Sequence, residues 1–132
     1  MRDPFMEALG LKVLHLAPGE AAVAGEVRAD HLNLHGTAHG GFLYALADSA
    51  FALASNTRGP AVALSCRMDY FRPLGAGARA VEVNLSRRTA TYRVEVVSEG
   101  KLVALFTGTV FRLGGDGDDV PAGTGNLAPR EA

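Results

Sequence analysis

The sequence has a single cysteine, Cys66, and almost no net charge. One cysteine excludes a disulfide framework and a cysteine-rich metal site, and within a strand it is best explained as a small core residue. The formal net charge of -1, with no long basic stretch, argues against binding to nucleic acid or to a membrane surface. We therefore expect neither of these partners.

No apolar run reaches the length of a membrane span, and the N-terminus lacks the apolar core of a signal peptide. Asp3, Pro4 and Glu7 stand where that core would lie, so we expect a cytoplasmic protein. With 132 residues, 48% of them hydrophobic, the chain is long enough for one domain with a real core. Residues 1–113 are predicted to form this domain. Residues 114–132, rich in Gly, Asp and Pro, are predicted to be a flexible tail.

Hydrophobic residues recur with two different periods, which predict one long helix and several strands. Residues 40–56 are apolar on almost every side, as expected of a helix buried at the centre of a domain. Strand-like or alternating runs occupy residues 11–17, 20–28, 61–71, 79–88, 92–96 and 101–113. They indicate about five antiparallel strands. The predicted fold class is α+β, with a curved antiparallel sheet wrapped around a long central helix.

The central helix follows a polar, glycine-rich loop and carries one carboxylate, Asp48. Burying a carboxylate costs free energy unless it is paired or hydrogen-bonded, so we expect Asp48 to be kept for chemistry. Gly40 and Gly41 begin the helix, where unpaired N–H groups can bind a developing oxyanion. Asp48 could attack an acyl carbon directly or activate a water as general base. A structural aspartate held by a backbone group or an arginine is the alternative.

Gly40 and Asp48 are eight residues apart, which is about 12 Å along an α-helix. This distance is long for one helix to hold an oxyanion donor and a base around the same carbon atom. A symmetric dimer with two antiparallel copies of the helix would bring Gly40 of one subunit near Asp48 of the partner subunit. The sequence therefore predicts a homodimer with shared sites.

Residues 33–48 resemble the signature of hotdog-fold acyl-CoA thioesterases of the phenylacetate-degradation (PaaI-like) family. The matching residues are Asn33, Gly36, His39, Gly40, Gly41, Leu46 and Asp48, and the later Tyr70-Phe71-Arg72-Pro73 and Val103-Ala104 also fit. The resemblance covers about residues 5–113. It implies a hotdog dimer, paired into a dimer of dimers, that hydrolyses aryl- or medium-chain acyl-CoA. It implies no metal and no separate cofactor, because coenzyme A is part of the substrate.

The same resemblance implies roles for four residues of the motif. Asp48 would be the general base or the nucleophile, and the Gly40 N–H would polarise the thioester carbonyl. His39 and Asn33 would orient the substrate or a water molecule. From the residues alone, His39 could instead cap the helix and Asn33 could form a turn.

Substrate contacts are predicted at Gly41, Ser49, Arg72 and Arg88. Other branches of the family place a hydroxyl residue one turn after the acid, where this chain has Ala52. That role is absent here or moves to Ser49 or Ser55. Arginine forks suit the phosphate oxygens of coenzyme A, and the candidates for this role are Arg67, Arg72, Arg87, Arg88 and Arg93. Charged residues on the outer face of a strand are commonly only solvated, which is the alternative for each of them.

Three histidines, His31, His35 and His39, are spaced four residues apart and would align as metal ligands on a continuous helix. Gly36 and the Gly40-Gly41 pair argue against such a helix, so no metal site is predicted.

The sequence thus favours an acyl-CoA thioesterase over two other functions. One is a non-catalytic hotdog module that binds acyl-CoA as a ligand, and the presence of Asp48 beside Gly40-Gly41 argues against it. The other is a hotdog hydratase acting on enoyl thioesters, which would need a different arrangement of His and Asp. The two enzymes differ in product, since only the thioesterase releases a free thiol.

Overall fold

The computed structural model describes residues 3–73, 77–85 and 88–113, with the backbone alone for residues 77–85. The predicted tail, residues 114–132, lies outside the described residues. A short helix, α1 (Pro4–Leu9), begins after Asp3, whose carboxylate accepts hydrogen bonds from the N–H groups of Phe5 and Met6. The long helix, α2 (Gly40–Asn56), follows a 3-10 turn (Ala29–His31) and a loop. No helix in the described part of the chain is long and apolar enough to cross a membrane.

The described strands form one antiparallel sheet in the order β1-β2-β4-β5-β6-β3. They are β1 (Lys12–Ala17), β2 (Glu20–Ala24), β3 (Ala61–Tyr70), β4 (Gly77–Leu85), β5 (Thr89–Ser98) and β6 (Lys101–Arg112). The described residues contain six strands rather than about five, because every strand-like run joins the sheet.

β2 ends at Ala24, four residues earlier than predicted. Gly25 gives the physical reason, since a Cβ at this position would lie 2.6 Å from the Leu11 side chain and 3.3 Å from that of Phe42. The chain leaves the sheet here and runs close against the core.

The sheet wraps around α2, and the core lies between them. Phe51 of α2 packs against Tyr92 of β5 and Phe106 of β6, with ring centroids 6.0 Å and 5.2 Å apart. Gly108 of β6 leaves room for this ring, because a Cβ there would lie 2.7 Å from Phe51. The remaining fully or nearly fully buried apolar residues of α2 are Phe42, Leu43, Leu46, Ala47, Ala50, Leu53 and Ala54. The predicted α+β arrangement with a wrapped helix is confirmed.

One face of α2 remains open in the single chain. Gly41 and Ala52 are exposed, while Ala45 and Asp48 are half-buried. These positions recur at intervals of three or four residues, so they lie on one side of the helix. Asp48 is therefore at the border between the core and this open face.

β3 is an edge strand. It pairs with β6 from Ala61 to Tyr70, and no strand among the described residues pairs with its other edge. Val62 and Leu64 on this strand are 47% and 62% exposed. A long edge with exposed apolar side chains is a surface on which another strand can pair.

Candidate active site

The loop that precedes α2 is organised by Asn33. Its side-chain oxygen accepts hydrogen bonds from the N–H groups of His35 and Thr37, at 2.9 Å and 3.1 Å, and its Nδ2 donates to Thr37 Oγ1 at 3.0 Å. The backbone N–H of Asn33 donates to the Thr37 carbonyl at 2.8 Å. Asn33 therefore forms the turn that the sequence offered as its alternative role, and its amide oxygen is occupied by the loop.

His39 caps the N-terminus of α2. Its Nδ1 accepts a hydrogen bond from the Gly41 N–H at 2.8 Å, so the neutral ring carries its proton on Nε2. The Gly41 N–H is thus engaged within the chain rather than open to a substrate oxygen. The Gly40 N–H, by contrast, donates to no residue in the described part of the chain.

A cavity of about 350 Å³ opens at this end of α2. The loop before the helix and the end of β3 form its walls, and the lining residues are Asn33, Thr37, Ala38, Gly40, Leu43, Tyr70, Phe71, Arg72 and Pro73. Three predicted site residues, Asn33, Gly40 and Arg72, are brought together here. A carbonyl oxygen in this cavity can accept a hydrogen bond from the Gly40 N–H.

Tyr70 belongs to the site although the sequence reasoning gave it no role. Its hydroxyl donates a hydrogen bond to the Gly40 carbonyl at 3.1 Å. Its ring lies 3.5 Å from the point that a Cβ on Gly40 would occupy. The only available signal was its place in the Tyr70-Phe71-Arg72-Pro73 run that supported the family resemblance.

Asp48 lies two helical turns beyond Gly40 and does not line the cavity. Burial raises the pKa of its carboxyl above the ordinary value of 3.8, and the carboxylate of Asp3 raises it further. The Asp48 side chain makes no hydrogen bond or ion pair with any described residue, so nothing in the described chain holds it in the way a structural aspartate would be held. A half-buried carboxyl with a raised pKa is suited to accept a proton.

Burial, with the charge of Asp48 contributing, raises the pKa of both Tyr44 and Cys66, and both groups remain protonated. Burial first, and then the hydrogen bond between its hydroxyl and Cys66, raise the pKa of Tyr44 to about 12. Burial also raises the pKa of the Cys66 thiol, and the Asp48 carboxylate adds to this effect while the Tyr44 hydroxyl opposes it. A thiol with a raised pKa is a poor nucleophile, which agrees with Cys66 packing against the core.

The two serines considered for an assisting role lie away from the cavity. Ser49 is buried, with 7% of its surface exposed, and is not among the lining residues. The hydroxyl of Ser55 donates to the Ala52 carbonyl at 3.2 Å and so serves the helix itself. The substrate contact of Ser49 stays a prediction.

Arg72 and Arg88 lie at opposite ends of the sheet. Arg72 lines the cavity beside the end of β3. Arg88 is exposed, and its carbonyl accepts a hydrogen bond from the Arg112 N–H at 2.6 Å, opposite the start of β3. One chain therefore does not bring both arginines to one ligand, and the role of Arg88 stays a prediction. Arg87 lies outside the described residues.

The three histidines have separate surroundings. His31 is buried, stacks on Phe42 with ring centroids 4.1 Å apart, and accepts a hydrogen bond at Nδ1 from the Arg28 N–H at 3.0 Å. His35 is exposed in the loop, and His39 caps α2. Within the described residues, no group of three His, Cys, Asp or Glu side chains could hold a metal ion.

Comparison with known proteins places these features in a family. The sequence model of the Thioesterase superfamily matches residues 35–105, which is more than half of the chain. The acyl-coenzyme A thioesterase PaaI of Escherichia coli is 41% identical over 119 residues, a match covering 86% of this chain and 85% of that protein.

Solved structures of two Thermus thermophilus chains are also similar. One is the crystal structure of the protein TT0310, at 95% identity and a TM-score of 0.84, covering 86% of this chain and 100% of the other. The second is the N33D mutant of the phenylacetic acid degradation protein PaaI, at 94% identity and a TM-score of 0.82, covering 84% of this chain and 100% of the other. The predicted hotdog fold and the resemblance to the PaaI-like family are confirmed. The chain belongs to the thioesterase superfamily, and the prediction that it is a thioester hydrolase is confirmed.

Proposed function

We propose that this protein hydrolyses aryl-CoA (phenylacetyl-like) or medium-chain acyl-CoA thioesters to the free acid and coenzyme A. One observation carries the proposal. The Gly40 N–H, which has no partner within the described chain, lies at the cavity, and the helix that Gly40 begins also bears Asp48 with its raised pKa. The choice of substrate class is supported by the similar proteins, which are named acyl-coenzyme A thioesterase and phenylacetic acid degradation protein.

In the proposed reaction the thioester carbonyl accepts a hydrogen bond from the Gly40 N–H. Ionised Asp48 either attacks the carbonyl carbon or takes a proton from a water whose oxygen attacks it. The oxyanion then collapses, the C–S bond breaks, and coenzyme A leaves as a thiolate that takes up a proton. In the nucleophilic route a water molecule then hydrolyses the resulting anhydride. The helix N-terminus stabilises the negative charge on the carbonyl oxygen as it develops.

Turnover in ¹⁸O-labelled water can identify the nucleophilic route. Direct attack by Asp48, followed by water attack on the acyl carbon of the anhydride, leaves Asp48 unlabelled and puts the label in the acid, as the general-base route also does. Water attack on the Asp48 carbonyl of the anhydride instead labels the enzyme, which the general-base route never does. Mass spectrometry of the peptide containing Asp48, after several turnovers with excess substrate, detects this label in the enzyme.

The proposed site is shared between two subunits. At 1.5 Å per residue, the eight residues from Gly40 to Asp48 span about 12 Å, too far for both to act on one carbon in the same chain. The open edge of β3 and the open face of α2 are surfaces that a second copy can cover. Antiparallel pairing of β3 with its copy would also bring the Arg72 end of one subunit beside the Arg88 end of the other.

Mixing two inactive variants tests the shared site. Gly40→Pro removes the N–H donor at the first helical position, where proline is tolerated, and His39 already has the extended backbone that precedes a proline, with φ -62 and ψ 138. Asp48→Asn removes the carboxylate. If each site combines Gly40 of one subunit with Asp48 of its partner, co-refolded mixtures recover activity, because one site per heterodimer is intact. If both residues act within one chain, no mixture recovers activity.

The primary test of the function is release of coenzyme A thiol from a panel of acyl-CoAs by the wild-type protein. Release of thiol, with phenylacetyl-CoA or medium-chain substrates preferred, is the expected result. Binding of acyl-CoA without release would identify the ligand-binding module instead. A hydrated thioester as product would identify the hydratase.

Arg72 is proposed to contact the nucleotide phosphates of coenzyme A. Arg72→Ala should raise KM for an acyl-CoA but leave KM for the matching acyl-pantetheine unchanged, because the pantetheine substrate lacks those phosphates. An equal rise in both KM values would place Arg72 against the acyl or pantetheine part. A cytoplasmic location, the dimer of dimers and the lack of a cofactor stay predictions.

A further inference from the structure

The peptide group between Gly40 and Gly41 is held at both ends by side chains. Its carbonyl oxygen accepts a hydrogen bond from the Tyr70 hydroxyl at 3.1 Å, and its N–H donates to His39 Nδ1 at 2.8 Å. Tyr70 comes from the end of β3, thirty residues further along the chain, while His39 is the N-cap of the helix itself.

This peptide needs such support because of where it lies. Two successive glycines have the softest backbone of any residue pair, and they form the first, least hydrogen-bonded turn of α2. The Gly40 N–H belongs to the preceding peptide group, which is joined to the Gly40-Gly41 peptide through the Gly40 Cα, so a displacement of the Gly40-Gly41 peptide that moves this Cα also moves the N–H. A donor stabilises an oxyanion best when its orientation is fixed before the reaction, because no free energy is then spent on reorienting it.

The geometry points to Tyr70 as a positioning residue, which together with His39 clamps the Gly40-Gly41 peptide so that the Gly40 N–H keeps its orientation toward the cavity. The Tyr70 ring supports the clamp by lying against Gly40 at van der Waals distance, 3.5 Å from the position of a Cβ. Tyr70 is also one of the residues that line the cavity, together with Asn33 and Gly40. This inference rests on the proposed function, since it assigns the Gly40 N–H to the thioester carbonyl.

Tyr70→Phe is the sharpest test, because it keeps the ring and removes only the hydroxyl. We expect kcat to fall about five- to tenfold, the scale of one hydrogen bond, while KM stays within about twofold. Tyr92→Phe is the matched control, since it removes the same group from a residue that packs against Phe51 in the core. It should leave kcat of the folded enzyme unchanged.

A second measurement reports on the clamp without using activity. In protein labelled with ¹⁵N-glycine, Tyr70→Phe should speed amide hydrogen exchange at Gly41, whereas Tyr92→Phe should not. Unchanged exchange at Gly41, or a loss that falls on KM rather than kcat, would overturn the positioning role. If wild type released no thiol at all, the proposed function would fail, and the exchange rates would still decide whether Tyr70 holds this peptide.

Discussion

Asp48→Asn is the most informative single substitution in this protein. Asparagine keeps the size and shape of the side chain, so the half-buried position on α2 is not repacked. It removes the one carboxylate of the helix, the group that can accept a proton or attack a carbonyl. Loss of a general base costs about 10²- to 10⁴-fold in rate, or about 3–5 kcal/mol of transition-state stabilisation. We therefore expect kcat to fall by at least about 10²-fold, with KM little changed.

The same substitution should stabilise the folded protein at neutral pH. Burial and the Asp3 carboxylate raise the pKa of Asp48 above 3.8, so its ionisation is less favourable in the folded state than in the unfolded one. The folded state binds this proton more tightly, so the wild type loses stability as pH rises through the folded-state pKa. Asp48→Asn avoids this loss. Its advantage in Tm should be largest at neutral pH and should shrink as pH falls toward 3.8.

Asp3→Asn provides the matched control for this prediction. Asparagine caps a helix as well as aspartate does, so α1 should remain intact. Removing the Asp3 charge should lower the pKa of Asp48, and the acid limb of the kcat profile should move to lower pH without a change in the plateau. Thiol release and thermal unfolding, both measured from about pH 4 to 9 so that they span the acid limb, check these outcomes. Turnover by Asp48→Asn within a few-fold of wild type would refute the reasoning and leave Asp48 a structural residue.

Three further predictions concern the loop, the helix cap and the core. His39→Ala should lower the free energy of unfolding by about 1 kcal/mol through loss of the N-cap, measured by urea unfolding, whereas His35→Ala should change it little because that side chain is exposed. Asn33→Ala should cost about 1 kcal/mol, because the N–H groups at His35 and Thr37 lose their acceptor, and KM should rise as the cavity wall loosens. Gly108→Ala should destabilise the fold by about 1–3 kcal/mol, seen as a lower Tm, because its Cβ would lie 2.7 Å from Phe51; an unchanged Tm would mean that the ring moves aside freely.

The parts of the site that are formed by residues close together in the sequence could be predicted before the fold was known. The His39-Gly40-Gly41 run contains its own cap, since the donor and acceptor are two residues apart. Asn33 and Thr37 close their turn within four residues. Both roles were foreseen as alternatives to substrate binding, and the structure supports the local ones.

The two periods of hydrophobic residues likewise predicted α2 and the strands around it. The end of β2 was predicted wrongly, because it depends on Gly25 meeting Leu11 and Phe42, which come from other parts of the chain. Periodicity describes which face of an element is buried. It does not describe where a neighbouring element forces the backbone to turn away.

The sequence by itself determined the central helix, its capped glycine-rich start and the carboxylate two turns beyond. Only the tertiary structure decided that Tyr70 reaches the Gly40 carbonyl, that Asp3 raises the pKa of Asp48, and that Arg88 lies far from Arg72. The physical reason is the number of residues that separate the two contacting groups along the chain. Contacts within one helical turn follow from spacing along the chain, whereas contacts across the fold depend on how the sheet curves around the helix and which strand ends lie together.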